Sequence, residues 1–208
     1  GHHGRPRRRP HRPPGPRPVV AWAHGTTGVV PSCAHSLLRD GFAAGALPAL
    51  DRIVANGWVL VATDYVGLGT AGPHPYLVGA SEGRAVLDSV RAAMRLPKTG
   101  AGPRFIAWGH SQGGQAALFA GQLAGTYAPD LALVGVAAIA PATELRQLLE
   151  DDVSERAGKI LTAYALWSWA EVFDASLRDV VPPSAIPGIE RVARDCVESA
   201  GEGYRVGL

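Results

Sequence analysis

The 208-residue chain is 47% hydrophobic and 18% charged, a balance that supports a real core and excludes disorder along its whole length. Its formal charge of +2 is uneven: residues 1–17 carry six arginines and no acid, while the other 191 carry 14 basic and 18 acidic groups, a net −4. An acidic body argues against a nucleic-acid partner, the absence of any run of about 18 apolar residues argues against a transmembrane helix, and the length suits one domain.

Residues 1–17 (GHHGRPRRRPHRPPGPR) have little to bury, and their prolines and repelling arginines predict a disordered basic tail. This segment lacks the apolar stretch of a signal peptide and reads as leader sequence or an expression remnant in preference to a polybasic arm. From Pro18 the chain alternates short apolar runs with longer helical patterns. Strands are predicted at Pro18–Ala23, Trp58–Thr63, Arg104–Trp108 and Leu133–Ala140. They are continuous apolar runs bounded by Gly, Pro or Asp, as expected of strands covered on both faces. Helices are predicted at about Leu47–Ala55, Ser81–Leu96 and Gln112–Gly125, the second with Val86, Val90 and Ala93 at i, i+4, i+7. Strand–helix–strand repetition implies an α/β fold with a mostly parallel sheet. Residues 18–141 are its core. Residues 142–208 read as a helical cap over the sheet, with aromatic-rich Ala163–Phe173, a break at Val181–Pro187 and a last helix at Gly188–Ala200. Function is expected at the carboxyl ends of the strands, where the loops carry His24, Asp64 and Ser111.

Gly109-His110-Ser111-Gln112-Gly113 fits G-x-S-x-G between a predicted strand and a predicted helix. A turn this sharp strains the serine backbone, and only glycines two residues to either side let the chain pass. Ser111 is therefore the candidate nucleophile, with the Gln112 backbone N–H as an oxyanion donor at the helix N-terminus. His24-Gly25-Thr26-Thr27-Gly28 follows the first strand, and an H-G-x turn there supplies the second donor, the N–H of Thr26, whose hydroxyl could add another bond. His24 reads as a prop for this loop and His110 as structural.

These residues carry a resemblance. VVAWAHGTTGVVPSCAHS, GWVLVATDYVGLGTAGPHPYLVGASEGRAVLDSVRA and FIAWGHSQGGQAALFAG resemble the secretory lipases of bacteria and fungi, lid-bearing α/β-hydrolases similar to the yeast lipase A type. The similarity is strong from about Pro18 to Ala142 and weaker beyond. It implies carboxylester and triacylglycerol hydrolysis, secretion, and a helical lid after the strand ending at Pro141. By the same resemblance Ser111 is the nucleophile, Gln112 and Thr26 belong to the oxyanion region, and Asp64-Tyr65 holds the loop beside the site. It also implies a disulfide between Cys33 and Cys196, the chain's two cysteines; without it they read as two unrelated buried thiols. Neither has a second ligand at metal spacing, so no metal is expected, and nothing points to a cofactor.

The fold orders its triad Ser, then Asp or Glu, then His, yet all seven histidines precede Ser111 and no later acid ends a predicted strand. The expectation is an N-terminal portion of a longer lipase, lacking the last strands with the triad acid and base, and therefore poorly active alone. A site rewired to His24 or His74 is the lesser alternative. Two further readings are a catalytically inactive remnant that binds acyl groups or lipid, and a different α/β-hydrolase such as a peptidase or thioesterase. The aromatic cap favours ester or lipid substrates, with interfacial lipid contact through the cap.

Overall fold

The computed structural model describes residues 15–37, 49–152 and 154–197. Most of the expected basic tail, the start of the first predicted helix and the end of the last lie outside the described residues. Strands β1 (Arg17–Ala23), β2 (Val59–Ala62), β3 (Ala101–His110) and β4 (Ala132–Ile139) pair in parallel in the order β2-β1-β3-β4. Helices α1 (Leu50–Ala55), α2 (Gly79–Arg95) and α3 (Gln112–Tyr127) connect them. The chain steps from β1 to β2 on one side, then crosses to β3 on the other, so the topological switch point lies between β1 and β3. Ligands of open α/β sheets bind at the carboxyl ends of such a pair.

The strand β1 begins one residue earlier than expected because Arg17 is anchored. Its guanidinium donates to the carbonyls of Gly57, Trp58 and Thr99, tying the α1–β2 and α2–β3 loops to the start of the sheet. Val19, Ala21 and Ala23 of β1 and Phe105 and Ala107 of β3 face Val86, Leu87 and Val90 of α2 and Ala116, Ala117 and Ala120 of α3. The two helices approach closely because α2 presents glycines at i and i+4. A Cβ on Gly83 would lie 2.8 Å from the Ala120 amide, and one on Gly79 would strike the Phe119 ring. Burial on both faces holds for β1, whose Val20 and Trp22 are also covered, but not for β4. There Val134 (57%) and Ile139 (47%) are exposed among the described residues.

After β4 come α4 (Leu145–Asp152), α5 (Arg156–Val172) and α6 (Ile186–Arg194). They build a second hydrophobic cluster in which Ile160, Tyr164, Ala165 and Ala193 pack on Val29, Tyr76 and Leu77 from the loops at the strand ends. Cys33 and Cys196 are joined in a disulfide with their Cα atoms 5.2 Å apart, 163 residues apart in sequence. Beside it the Val197 N–H donates to the Thr27 carbonyl and the Tyr164 hydroxyl to the Asp195 carbonyl. The chain-entropy account values closure of so long a loop at about 5 kcal/mol if unstrained.

Candidate active site

Ser111 sits between β3 and α3 with φ 57° and ψ −121°, a region costly for a side chain bearing a Cβ. The surrounding backbone holds it there: the Ser111 N–H donates to Ile139 O, and the Ser111 carbonyl accepts from Gln115 and Ala142 N–H. The flanking glycines are needed for space. A Cβ on Gly109 would collide with the Gly113 carbonyl, and one on Gly113 with the Ala23 carbonyl. The side chain is thus held clear of the sheet at the N-terminus of a 16-residue helix.

The β1–β3 register pairs Ala23 with Gly109, which brings the loop after β1 alongside Ser111; a Cβ on Gly25 would lie 3.8 Å from that of Ser111. Among the described residues no hydrogen bond uses the backbone N–H of Thr26 or Gln112. The Thr26 hydroxyl is engaged, 2.8 Å from the Tyr76 hydroxyl. His24 is buried, its Nδ1 2.6 Å from the Gly25 carbonyl and its ring stacked on His35 with centroids 4.8 Å apart. The Tyr65 hydroxyl donates to the His24 carbonyl, and Asp64 accepts from the Ser36 N–H. Burial lowers the His24 pKa to about 4, so its ring is neutral near pH 7.

His74 is also lowered to about 4 by burial, and both its ring nitrogens are occupied. Nδ1 donates to Val66 O at 2.8 Å, which leaves Nε2 to accept from Gln112 Nε2 at 3.0 Å. Neither His24 nor His74 hydrogen-bonds Ser111. The Gln112 amide also donates to Glu82 Oε1 at 2.7 Å, which accepts the Leu77 N–H as well. Burial raises the Glu82 pKa to about 8. Glu82, Tyr76 and Ser168 received no role from the sequence. Glu82 had a signal: it stands one turn before Val86, on the apolar face of α2. A cavity of about 180 Å³ opens on Ser111, lined chiefly by Tyr76, Leu77, Pro141, Leu148, Leu149 and Leu161. Among the described residues no group of three His, Cys, Asp or Glu could hold a metal, and no helix is long and apolar enough to cross a membrane.

The secretory lipase family profile matches residues 46–204. The chain belongs to the secretory lipase family. A Mycobacterium tuberculosis protein named a probable inactive lipase is 32% identical over 118 residues, 53% of this chain and 26% of that protein. Lipase A of Moesziomyces aphidis is 33% identical over 92 residues, 41% of this chain and 19% of the relative. Among solved structures, Candida antarctica lipase A in its closed state matches with a TM-score of 0.69 at 18% identity, covering 88% of this chain and 44% of its own; it shares the fold. The rice cell wall degrading esterase LipA of Xanthomonas oryzae matches at 0.65 and 26% identity, covering 86% and 49%. This secretory lipase chain therefore spans between a fifth and a half of these relatives. Its four-stranded parallel sheet with flanking helices is an α/β-hydrolase core.

Proposed function

We propose that this chain carries the nucleophile and oxyanion half of a carboxylester hydrolase acting on acyl esters, triacylglycerols included. The observation that carries the reading is Ser111, held in a strained strand-to-helix elbow and opening on an apolar cavity. In the reaction Ser111 Oγ bonds to the ester carbonyl carbon, and the carbonyl oxygen takes up negative charge facing the N–H groups of Thr26 and Gln112. Collapse expels the alcohol and leaves an acyl-serine, which water then cleaves to acid and free serine. The serine proton must pass to a base. The family pattern supplies an acid and a histidine from strands following the lid, so the described residues alone are expected to turn over slowly. Residues 142–197 serve as the cap, with α4 and α5 walling the acyl cavity and offering contact with a lipid interface. Secretory family membership and the disulfide support an extracellular site of action.

A second reading is an acyl- or lipid-binding module without turnover. It is favoured by the two buried imidazoles near Ser111 being committed to other partners, and one relative carries the name of an inactive lipase. Labelling with a fluorophosphonate probe, read by intact mass, tests the first reading. A single adduct that disappears in Ser111→Ala supports the nucleophile, whereas equal labelling of that variant removes it. Saturable fatty-acid binding without Ser111-dependent ester cleavage would favour the second.

A further inference from the structure

We propose that Glu82 and His74 are positioning residues for the oxyanion hole: they grip the Gln112 side-chain amide from two sides and so aim the Gln112 backbone N–H at the acyl oxygen on Ser111. The inference rests on the reading of Ser111 as nucleophile and adds residues the lipase signature does not contain.

The grip uses both amide hydrogens. One goes to Glu82 Oε1 on α2 and the other to His74 Nε2 in the loop before it. The His74 tautomer required is the one the Val66 carbonyl already enforces, because Nδ1 must carry the proton to donate there. The amide plane is therefore fixed from two separately anchored elements, and with it the first residue of α3. The other proposed donor is tied to the same stretch. Tyr76 bonds the Thr26 hydroxyl, and the Leu77 N–H is held by the same Glu82 oxygen that holds Gln112. That stretch is in turn pinned by α5: Ser168 donates to the His74 carbonyl and accepts the Tyr76 N–H, and Trp169 donates to the Tyr76 carbonyl.

Packing alone does not account for this arrangement. Glu82, His74 and Gln112 are each almost fully buried, and Glu82 Oε2 and Gln112 Oε1 have no partner among the described residues. A buried polar atom left without a partner forfeits its hydration with nothing in return. A leucine and a methionine would fill the same space more cheaply. What the polar set adds is direction at a backbone donor, and loss of one well-aimed oxyanion donor costs about 10²–10³ in rate.

The test uses the 208-residue chain and the rate at which diethyl p-nitrophenyl phosphate phosphorylates Ser111, read by intact mass and peptide mapping. In that step the serine oxygen–phosphorus bond forms, the phosphorus–aryloxide bond breaks, p-nitrophenolate departs and the serine proton passes to solvent. The matching phosphorothioate presents sulfur, a weak acceptor, to the same donors, so the P=O to P=S rate ratio reports on the oxyanion hole specifically. Glu82→Leu and His74→Phe are expected to lower the P=O rate at least tenfold and to reduce the ratio. Glu82→Gln, which keeps the carbonyl acceptor, restores both. Gln112→Leu keeps the backbone N–H while removing the grip and is expected to match Glu82→Leu, so the proposal remains testable if a Glu82 variant fails to fold. An unchanged ratio in folded Glu82→Leu or Gln112→Leu overturns the positioning role while leaving Ser111 as nucleophile. Absence of a Ser111 adduct in the parent chain overturns the nucleophile and the proposal with it.

Discussion

Glu82→Gln isolates the cost of keeping a carboxyl group buried beside the elbow. Burial raises the Glu82 pKa from its ordinary value of 4.5 to about 8. Between those values the unfolded chain has released a proton that the folded chain keeps, so stability falls as pH rises through the window. At about 1.4 kcal/mol per pH unit, the penalty grows to about 5 kcal/mol by pH 8 and is constant above it. His24 and His74, both lowered to about 4, act in the opposite sense: stability is lost as pH falls from about 6.5 towards 4. They are common to parent and variant and largely cancel in the difference. Urea unfolding followed by tryptophan fluorescence at pH 5, 6, 7, 8 and 9 gives that difference directly. The variant should gain on the parent by about 1.4 kcal/mol for each unit between pH 5 and 8. A difference that stays constant across the series would show that Glu82 ionises at its ordinary value, and the account of its burial would be wrong.

Three further outcomes follow from the geometry. Replacing Cys33 and Cys196 by alanine should lower the unfolding free energy by up to about 5 kcal/mol in the chain-entropy account; a loss below about 1 kcal/mol in urea titrations would place the main stabilisation elsewhere. Gly113→Val, forced against the Ala23 carbonyl, should cost several kcal/mol, whereas Gly125→Ala, where a Cβ meets nothing within 4 Å, should be neutral or mildly stabilising by thermal melt. Arg17→Met should destabilise by about 1–3 kcal/mol through the three carbonyls left behind; an unchanged melting temperature would show that water replaces the guanidinium without loss.

The α/β alternation, four parallel strands and the glycine-flanked serine were legible in the sequence because each is written in local signals. Apolar runs bounded by turn residues mark strands, and G-x-S-x-G between strand and helix marks a turn whose sterics tolerate little else. The Cys33–Cys196 pairing came from family resemblance, since two cysteines 163 residues apart carry no local signal of their partner. Three things were decided only by tertiary structure. Strand order was one: the four apolar runs look alike in sequence, but the order β2-β1-β3-β4 depends on the crossover between β2 and β3, which leaves no local trace. The fate of the histidines was another, because only packing set His24 against His35 and gave His74 to Gln112. The third was the Glu82–Gln112–His74 grip, whose members are separated by 30 and 38 residues. An acid on an apolar helix face signals that a partner exists; close packing of α2 on α3, permitted by Gly79 and Gly83, determines which partner it meets.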